Sequence, residues 1–322
     1  MKNQDHLVRE AEARAYAHYD MSSVDRTVTV ESSLGPVDVR VCVFGEPTDE
    51  TPVVLLHGIA SVTVIAASLL PYLRGRQVYA VDWPGHGLSG ASVLPRGTRF
   101  REQAVAVLRS LLDALGLDRV DLVGHSMGAQ ISLYSALDLA PRVRRLALLG
   151  APGAGLPGVR PITAMKLAAI PGLGPALLAA PMSERVFIRG NEVALGKGVL
   201  DDVPADVLRA AHLLAGRRSN ARSIASFFRT LLKRGKVRPG IALDATELAR
   251  ITQPVLMAWG DADVFLTPDA ATEAISAIPD LHLVRIPAAG HAPWLEDPVT
   301  VGIAIATHLG TAEAPEQRRA PA

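Results

Sequence analysis

The sequence predicts an α/β fold: a doubly wound, mostly parallel sheet with an N-terminal antiparallel hairpin and an inserted helical cap. Three observations carry this expectation. From residue 52 onward, short unbroken apolar runs (PVVLLHG, QVYAVDWPG, VDLVGHS, RRLALLGA) are separated by helical stretches, the pattern of parallel strands covered on both faces. The rhythm stops at Ala151 and resumes with QPVLMAWG at Gln253 and LHLVRIP at Leu281. Ahead of it, Thr27 to Glu31 and Val37 to Phe44 alternate apolar and polar residues on either side of Leu34-Gly35-Pro36, a hairpin signal.

Taken in order, residues 1–23 are a polar, Ala-rich helical extension whose scattered charges exclude the apolar core of a secretory signal. A cytoplasmic location is the default expectation. Residues 24–150 and 250–310 are expected to form the sheet and its covering helices, and 151–249 the cap. Cys42, the only cysteine, sits in an alternating Val run and reads as a buried small hydrophobe with no disulfide partner. The insert is Gly/Pro-rich to Pro181, then helical and basic to Arg238, with twelve Lys or Arg against five acids between Met182 and Arg238. Charge runs of this kind usually face water. Its first part offers Ile162, Met165 and Leu177 as candidates for lining a substrate pocket. The stretch Leu167–Ser183 is interrupted by Pro171, Gly172, Gly174 and Pro175 and is too short to span a bilayer. The tail, 311–322, is rich in Ala, Pro and charge and is expected to be disordered. With 33 basic and 32 acidic residues the net charge is +1, which provides no overall field for nucleic acid or an anionic membrane.

The chemistry centres on Gly124-His125-Ser126-Met127-Gly128, which follows the apolar run VDLV and precedes a helical stretch. In a strand-turn-helix of the form G-x-S-x-G the serine stands at a strained apex, with glycines where strand and helix approach too closely for a Cβ. A serine hydroxyl needs a base to take its proton and a carboxylate to orient that base. Of nine histidines, His291 lies just past the last strand in AGHAP, where the base of a sheet-edge site belongs. The loop after VLMAW reads Gly260-Asp261-Ala262-Asp263 and offers two candidate acids. Gly153 to Gly158 fits G-x-G-x-x-G, but the acid expected about 20 residues later is missing, which argues against a dinucleotide site; a flexible cap entrance accounts for the glycines. No H-E-x-x-H metal spacing is present.

LLHG at 55–58, DWPGHGLS at 82–89, GHSMG at 124–128, WGDAD at 259–263 and GHAPWLEDP at 290–298 together resemble the α/β-hydrolase superfamily over about residues 24–310. The resemblance implies Ser126 as nucleophile, His291 as base and Asp263 as the favoured acid. It also implies an oxyanion hole from the backbone N–H groups of Met127 and Ile59, with His57 bracing the loop and His86 and Asp82 architectural. Members that open epoxides or displace halide carry aspartate at the nucleophile position, so Ser126 argues against both activities. The expectation is a cofactor-free serine hydrolase of the capped esterase or lactonase-like branch, binding no metal and taking a small apolar ester, lactone or thioester. Carbon-carbon bond hydrolysis or acyl transfer on the same triad is the alternative, and a non-catalytic ligand receptor a third.

Overall fold

The computed structural model describes residues 2–311; beyond Thr311 the tail expected to be disordered lies outside the described residues. Helix α1 (Lys2–Ala17) leads into a hairpin of β1 (Ser23–Val30) and β2 (Val37–Phe44), then β3 (Val53–Leu56), a 3₁₀ segment (Thr63–Leu73), β4 (Val78–Val81), α2 (Phe100–Leu115), β5 (Val120–His125), α3 (Met127–Asp138) and β6 (Val143–Leu149). Five helices follow: α4 (Thr163–Ala168), α5 (Leu173–Ala179), α6 (Glu184–Leu195), α7 (Ala205–Ala215) and α8 (Arg218–Leu231). A two-residue ribbon, β7 (Leu232–Lys233) with β8 (Lys236–Val237), and α9 (Ala245–Leu248) return the chain to β9 (Val255–Gly260), α10 (Pro268–Ile275), β10 (Leu281–Ile286), α11 (Pro293–Glu296) and α12 (Pro298–Leu309).

Eight strands form one sheet in the order β1-β2-β4-β3-β5-β6-β9-β10. The first two pairings, β1 with β2 and β2 with β4, are antiparallel, and the remaining five are parallel. The unbroken apolar runs have a direct cause. Val54 and Leu56 pack into the core that holds α2 and α3, while Val53 and Leu55 pack into the core that holds α1 and α12. Both faces of a central strand are thus dry, and alternation would leave polar groups buried. The chain runs from β3 to β4 on one side and then crosses to β5 on the other, so a crevice opens beyond the carboxyl ends of β3 and β5.

Strand β2 departs from its alternating sequence, because every residue from Val39 to Phe44 is buried. Helix α1 covers the face that alternation assigns to water. Cys42 is buried there with its thiol pushed well up by burial. Arg40, 3% exposed, pairs with Glu12 of α1 at 2.9 and 2.7 Å, with Asp25 at 2.7 Å and with Asp82 at 3.2 Å. One guanidinium therefore holds three carboxylates from three segments. Burial raises the pKa of Glu12, opposed by its bond to Arg40. Replacing Arg40 with Ala would strand Glu12 and Asp82 without a cation, Asp25 keeping its pair with Arg9, and breaking a buried pair in this way costs roughly 3–5 kcal/mol. The urea midpoint of Arg40→Ala should fall accordingly; a midpoint unchanged from the parent would show that the cluster is not holding α1 to the sheet.

Candidate active site

Ser126 is the apex between β5 and α3, with φ 52° and ψ −111°. For a residue with a Cβ this is a strained conformation, costing about 1–3 kcal/mol, and it is imposed by close packing. A Cβ on Gly128 would lie 2.1 Å from the Leu56 carbonyl oxygen, and one on Gly124 would lie 2.6 Å from the Gly128 carbonyl. The turn is tied down by the Ser126 N–H donating to Leu149 O at 3.3 Å and the Gln130 N–H donating to Ser126 O at 2.9 Å.

The loops after β9 and β10 bring Asp263 to His291. The imidazole Nδ1–H donates to Asp263 Oδ2 at 2.8 Å, leaving Nε2 with its lone pair. Asp263 Oδ2 also accepts from Ala151 N–H at 2.9 Å, and Oδ1 from Phe265 N–H at 3.0 Å. Burial alone would raise the pKa of this carboxyl, but the adjacent imidazole and the two backbone donors outweigh it and hold the acid below its ordinary value. Asp261 points elsewhere: its Oδ1 accepts from Arg285 Nε at 2.7 Å on the exposed side of the loop.

Beyond β3, the loop at 57–61 lies against the serine, with Gly58 so near that a Cβ there would be 3.1 Å from Ser126 Cβ. Ile59 and Met127 both line the same cavity as Ser126 and His291. Met127 opens α3, so its N–H has no intrahelical acceptor and sits at the positive end of the helix. Two buried histidines brace the loop. Trp83 N–H donates to His57 Nε2 at 3.0 Å while His57 Nδ1–H donates to Gly58 O at 2.7 Å. Ala60 N–H donates to His86 Nε2 at 3.2 Å, and His86 Nδ1–H donates to Pro84 O at 3.3 Å. In each ring one nitrogen accepts, so both imidazoles are neutral. Burial lowers the pKa of His57, and burial with its neighbour His57 takes His86 down to about 3. His125 is also driven well below its ordinary value by burial and by His291, whose carbonyl accepts from His125 Nε2–H at 3.1 Å.

These groups open on a cavity of about 250 Å³ roofed by α4, α5, α6, α7 and α8. Ile162 and Met165 line it, but Leu177 does not: it is 46% exposed, and Leu178 is the residue of α5 that faces inward. On a helix one position is a rotation of about 100°, enough to exchange wall for surface. Phe187, Asn191 and Phe228 are wall residues that the sequence did not single out; the only signal was the amphipathic pattern of α6 and α8. Among the described residues no Asp, Glu, Lys or Arg lines the cavity. Gly153 and Gly155 belong to the turn after β6 and pack on Gln130 of α3, with Ala154 N–H donating to Gln130 Oε1 at 3.0 Å and Leu156 buried, while Pro157 and Gly158 are exposed. Among the described residues no cluster of three His, Cys, Asp or Glu is placed to hold a metal, and no helix is long and apolar enough to cross a membrane.

The family described as alpha/beta hydrolase matches residues 53–302. The chain belongs to that family. Its members are hydrolase enzymes, and this hydrolase has curated relatives named as hydrolases of dienoates. It is 47% identical over 107 residues to a 2-hydroxy-6-oxo-2,4-heptadienoate hydrolase of Pseudomonas putida, a match spanning 32% of this chain but only 38% of the relative. It is 29% identical over 224 residues to a 2-hydroxy-6-oxo-6-phenylhexa-2,4-dienoate hydrolase of Burkholderia cepacia, covering 68% of this chain and 72% of that one. Among solved structures, a carboxylesterase of Bacillus subtilis superposes with a TM-score of 0.72 at 19% identity, covering 95% of this chain and 98% of the other, which shows the shared fold.

The three neutral histidines of the hydrolase make its stability acid-sensitive. Each has a depressed folded pKa, so below the ordinary value of about 6.5 the unfolded chain binds protons that the folded chain refuses, and stability rises with pH through that window. The slope is up to about 1.4 kcal/mol per pH unit for each ring, and for His86 the window reaches down to about 3. Urea midpoints measured at descending pH should fall steeply from about pH 6.5; a flat profile there would mean the rings are protonated in the fold.

Proposed function

We propose that this hydrolase is a serine hydrolase that cleaves a neutral, largely apolar carboxylic ester, lactone or thioester through an acyl-enzyme. The observation that carries the reading is that His291, bonded to Asp263, and Ser126 line one cavity on which no described Asp, Glu, Lys or Arg faces. Ser126 Oγ attacks the acyl carbon while His291 Nε2 takes its proton, and the negative oxygen of the tetrahedral intermediate is met by the N–H groups of Met127 and Ile59. The imidazolium, stabilised by Asp263, returns the proton to the leaving group, and water then repeats the sequence to release the acid. No cofactor is consumed.

The relatives' names favour a second reading, hydrolysis of a carbon-carbon bond in a dienoate ketone. Such a substrate bears a carboxylate, which in this cavity would lose its water without gaining a cation, a costly transfer. Neutral acyl groups fit the wall better. A panel of p-nitrophenyl esters of increasing chain length, with lactones and a dienoate ketone alongside, separates the two. Ester turnover should dominate and depend little on salt; a dienoate turned over far faster than any ester would replace the first reading with the second.

Fluorophosphonate should label Ser126, and Ser126→Ala should lose on the order of 10⁴ to 10⁶ in kcat while keeping its fold. An inert serine would make the protein a receptor. Asp263→Asn should slow turnover by about 10⁴, because the imidazole adopts the wrong tautomer, whereas Asp261→Asn loses only a surface pair with Arg285. The opposite order of damage would reassign the acid.

A further inference from the structure

Away from the catalytic cavity, a second hollow of about 380 Å³ opens where the loop before α2 meets the end of α8 and the residues after β8. Five arginines line it (Arg96, Arg99, Arg101, Arg229 and Arg238) against one acid, Glu102. Two of them are already neutralised. Arg99 pairs with Glu102 at 2.8 Å, and Arg101 with Asp138 at 2.7 Å and Glu247 at 2.6 Å. The other three have no carboxylate partner among the described residues. Arg229 donates from Nη2 to Leu94 O at 2.8 Å, while its buried Nε has no hydrogen-bond partner at all. Arg238 reaches Arg229 O from Nε and Nη2, at 3.3 and 3.1 Å.

Unpaired guanidinium groups brought this close repel one another, and a buried N–H left without an acceptor is destabilising. The repulsion is relieved by one anion in the hollow. The same hollow receives the start of α2, a 16-residue helix whose N-cap, Arg99, supplies no side-chain acceptor, so its first N–H groups and positive end face the arginines. Thr98 and Thr230 add hydroxyls to the wall. The volume lies within the range of about 300–1,000 Å³ used for small organic ligands, more than a bare ion fills.

We propose that this hollow binds a phosphorylated small molecule, with the phosphate group taken by Arg96, Arg229, Arg238 and the start of α2. The site bridges core and cap. Arg229, Thr230 and Arg238 alternate along the chain with Phe228, Leu231, Leu232 and Val237, which line the catalytic cavity. An anion held here fastens the strap that walls the catalytic cavity to the loop at 96–102, and it does so whatever ester or ketone the enzyme cleaves.

Inorganic pyrophosphate is the probe, titrated by calorimetry into the full chain against sodium chloride of matched ionic strength. Saturable binding is expected, weakened tenfold or more in Arg96→Gln/Arg238→Gln and unchanged in Arg185→Gln/Arg189→Gln, which removes the same charge from the exposed face of α6. Amide hydrogen exchange should slow in both 96–103 and 226–241 when pyrophosphate is present. The proposal is overturned by no saturable binding at millimolar pyrophosphate, by equal weakening in the two double variants, or by protection of neither segment. Thermal denaturation of each variant without ligand checks that it is folded.

Discussion

Helix α3 approaches the end of β3 so closely that the Leu56 carbonyl occupies the space a side chain at 128 would need. That contact is the constraint from which the rest of the site takes its geometry. It leaves the chain between β5 and α3 no relaxed route, so Ser126 is held with positive φ at the wall of the cavity. It also starts α3 directly after the serine and brings Gly58 against it. The strained backbone of Ser126 and the close approach of the loop at Gly58 thus have one steric origin.

The opposing wall is organised by the turn at 82–90. Asp82 is fully buried and accepts from Arg40, from Thr63 Oγ1 at 3.1 Å and from Leu88 N–H at 2.9 Å. The same turn supplies the Trp83 donor to His57 and the His86 ring that holds Ala60. Its far side receives the cap: Asn220 donates to Gly87 O at 2.9 Å, and Ser223 and Ser226 of α8 accept from Ser92 and Leu94 N–H groups at 3.0 and 2.8 Å. Small polar residues on an otherwise apolar helix face are what let α8 lie on a loop whose backbone donors must be satisfied.

Most of the sheet was legible because its strands are dry on both faces and say so locally, and Ser126 was legible because its glycines are a short-range consequence of a close approach. His291 could be placed by chain order alone. The family resemblance favours Asp263 over Asp261 by spacing, and what the sequence does not show is direction: Asp261 faces Arg285, while Asp263 is met by an N–H from Ala151, far away in sequence. Arg40 was hidden by the alternation of β2, which reads as a half-wet strand until α1 is laid over it. Leu177 and Leu178 are equivalent in a stretch of seven helical residues, and only the packing of Leu178 toward Ile224 and Phe228 separates them. The arginines of the second hollow come from segments that share no local pattern, so their convergence exists only in three dimensions.

The bond from Ala151 N–H to Asp263 Oδ2 joins the residue directly after the β6 turn to the carboxylate that holds His291. The insertion therefore begins inside the site instead of beside it. For anyone exchanging caps between members of this family to change what they accept, the consequence is a rule about where to cut. A crossover placed at the end of β6 hands the N–H that meets Asp263 to a foreign turn whose position another segment sets, while one placed beyond Leu156 transfers the roof and keeps the Ala151–Asp263 bond.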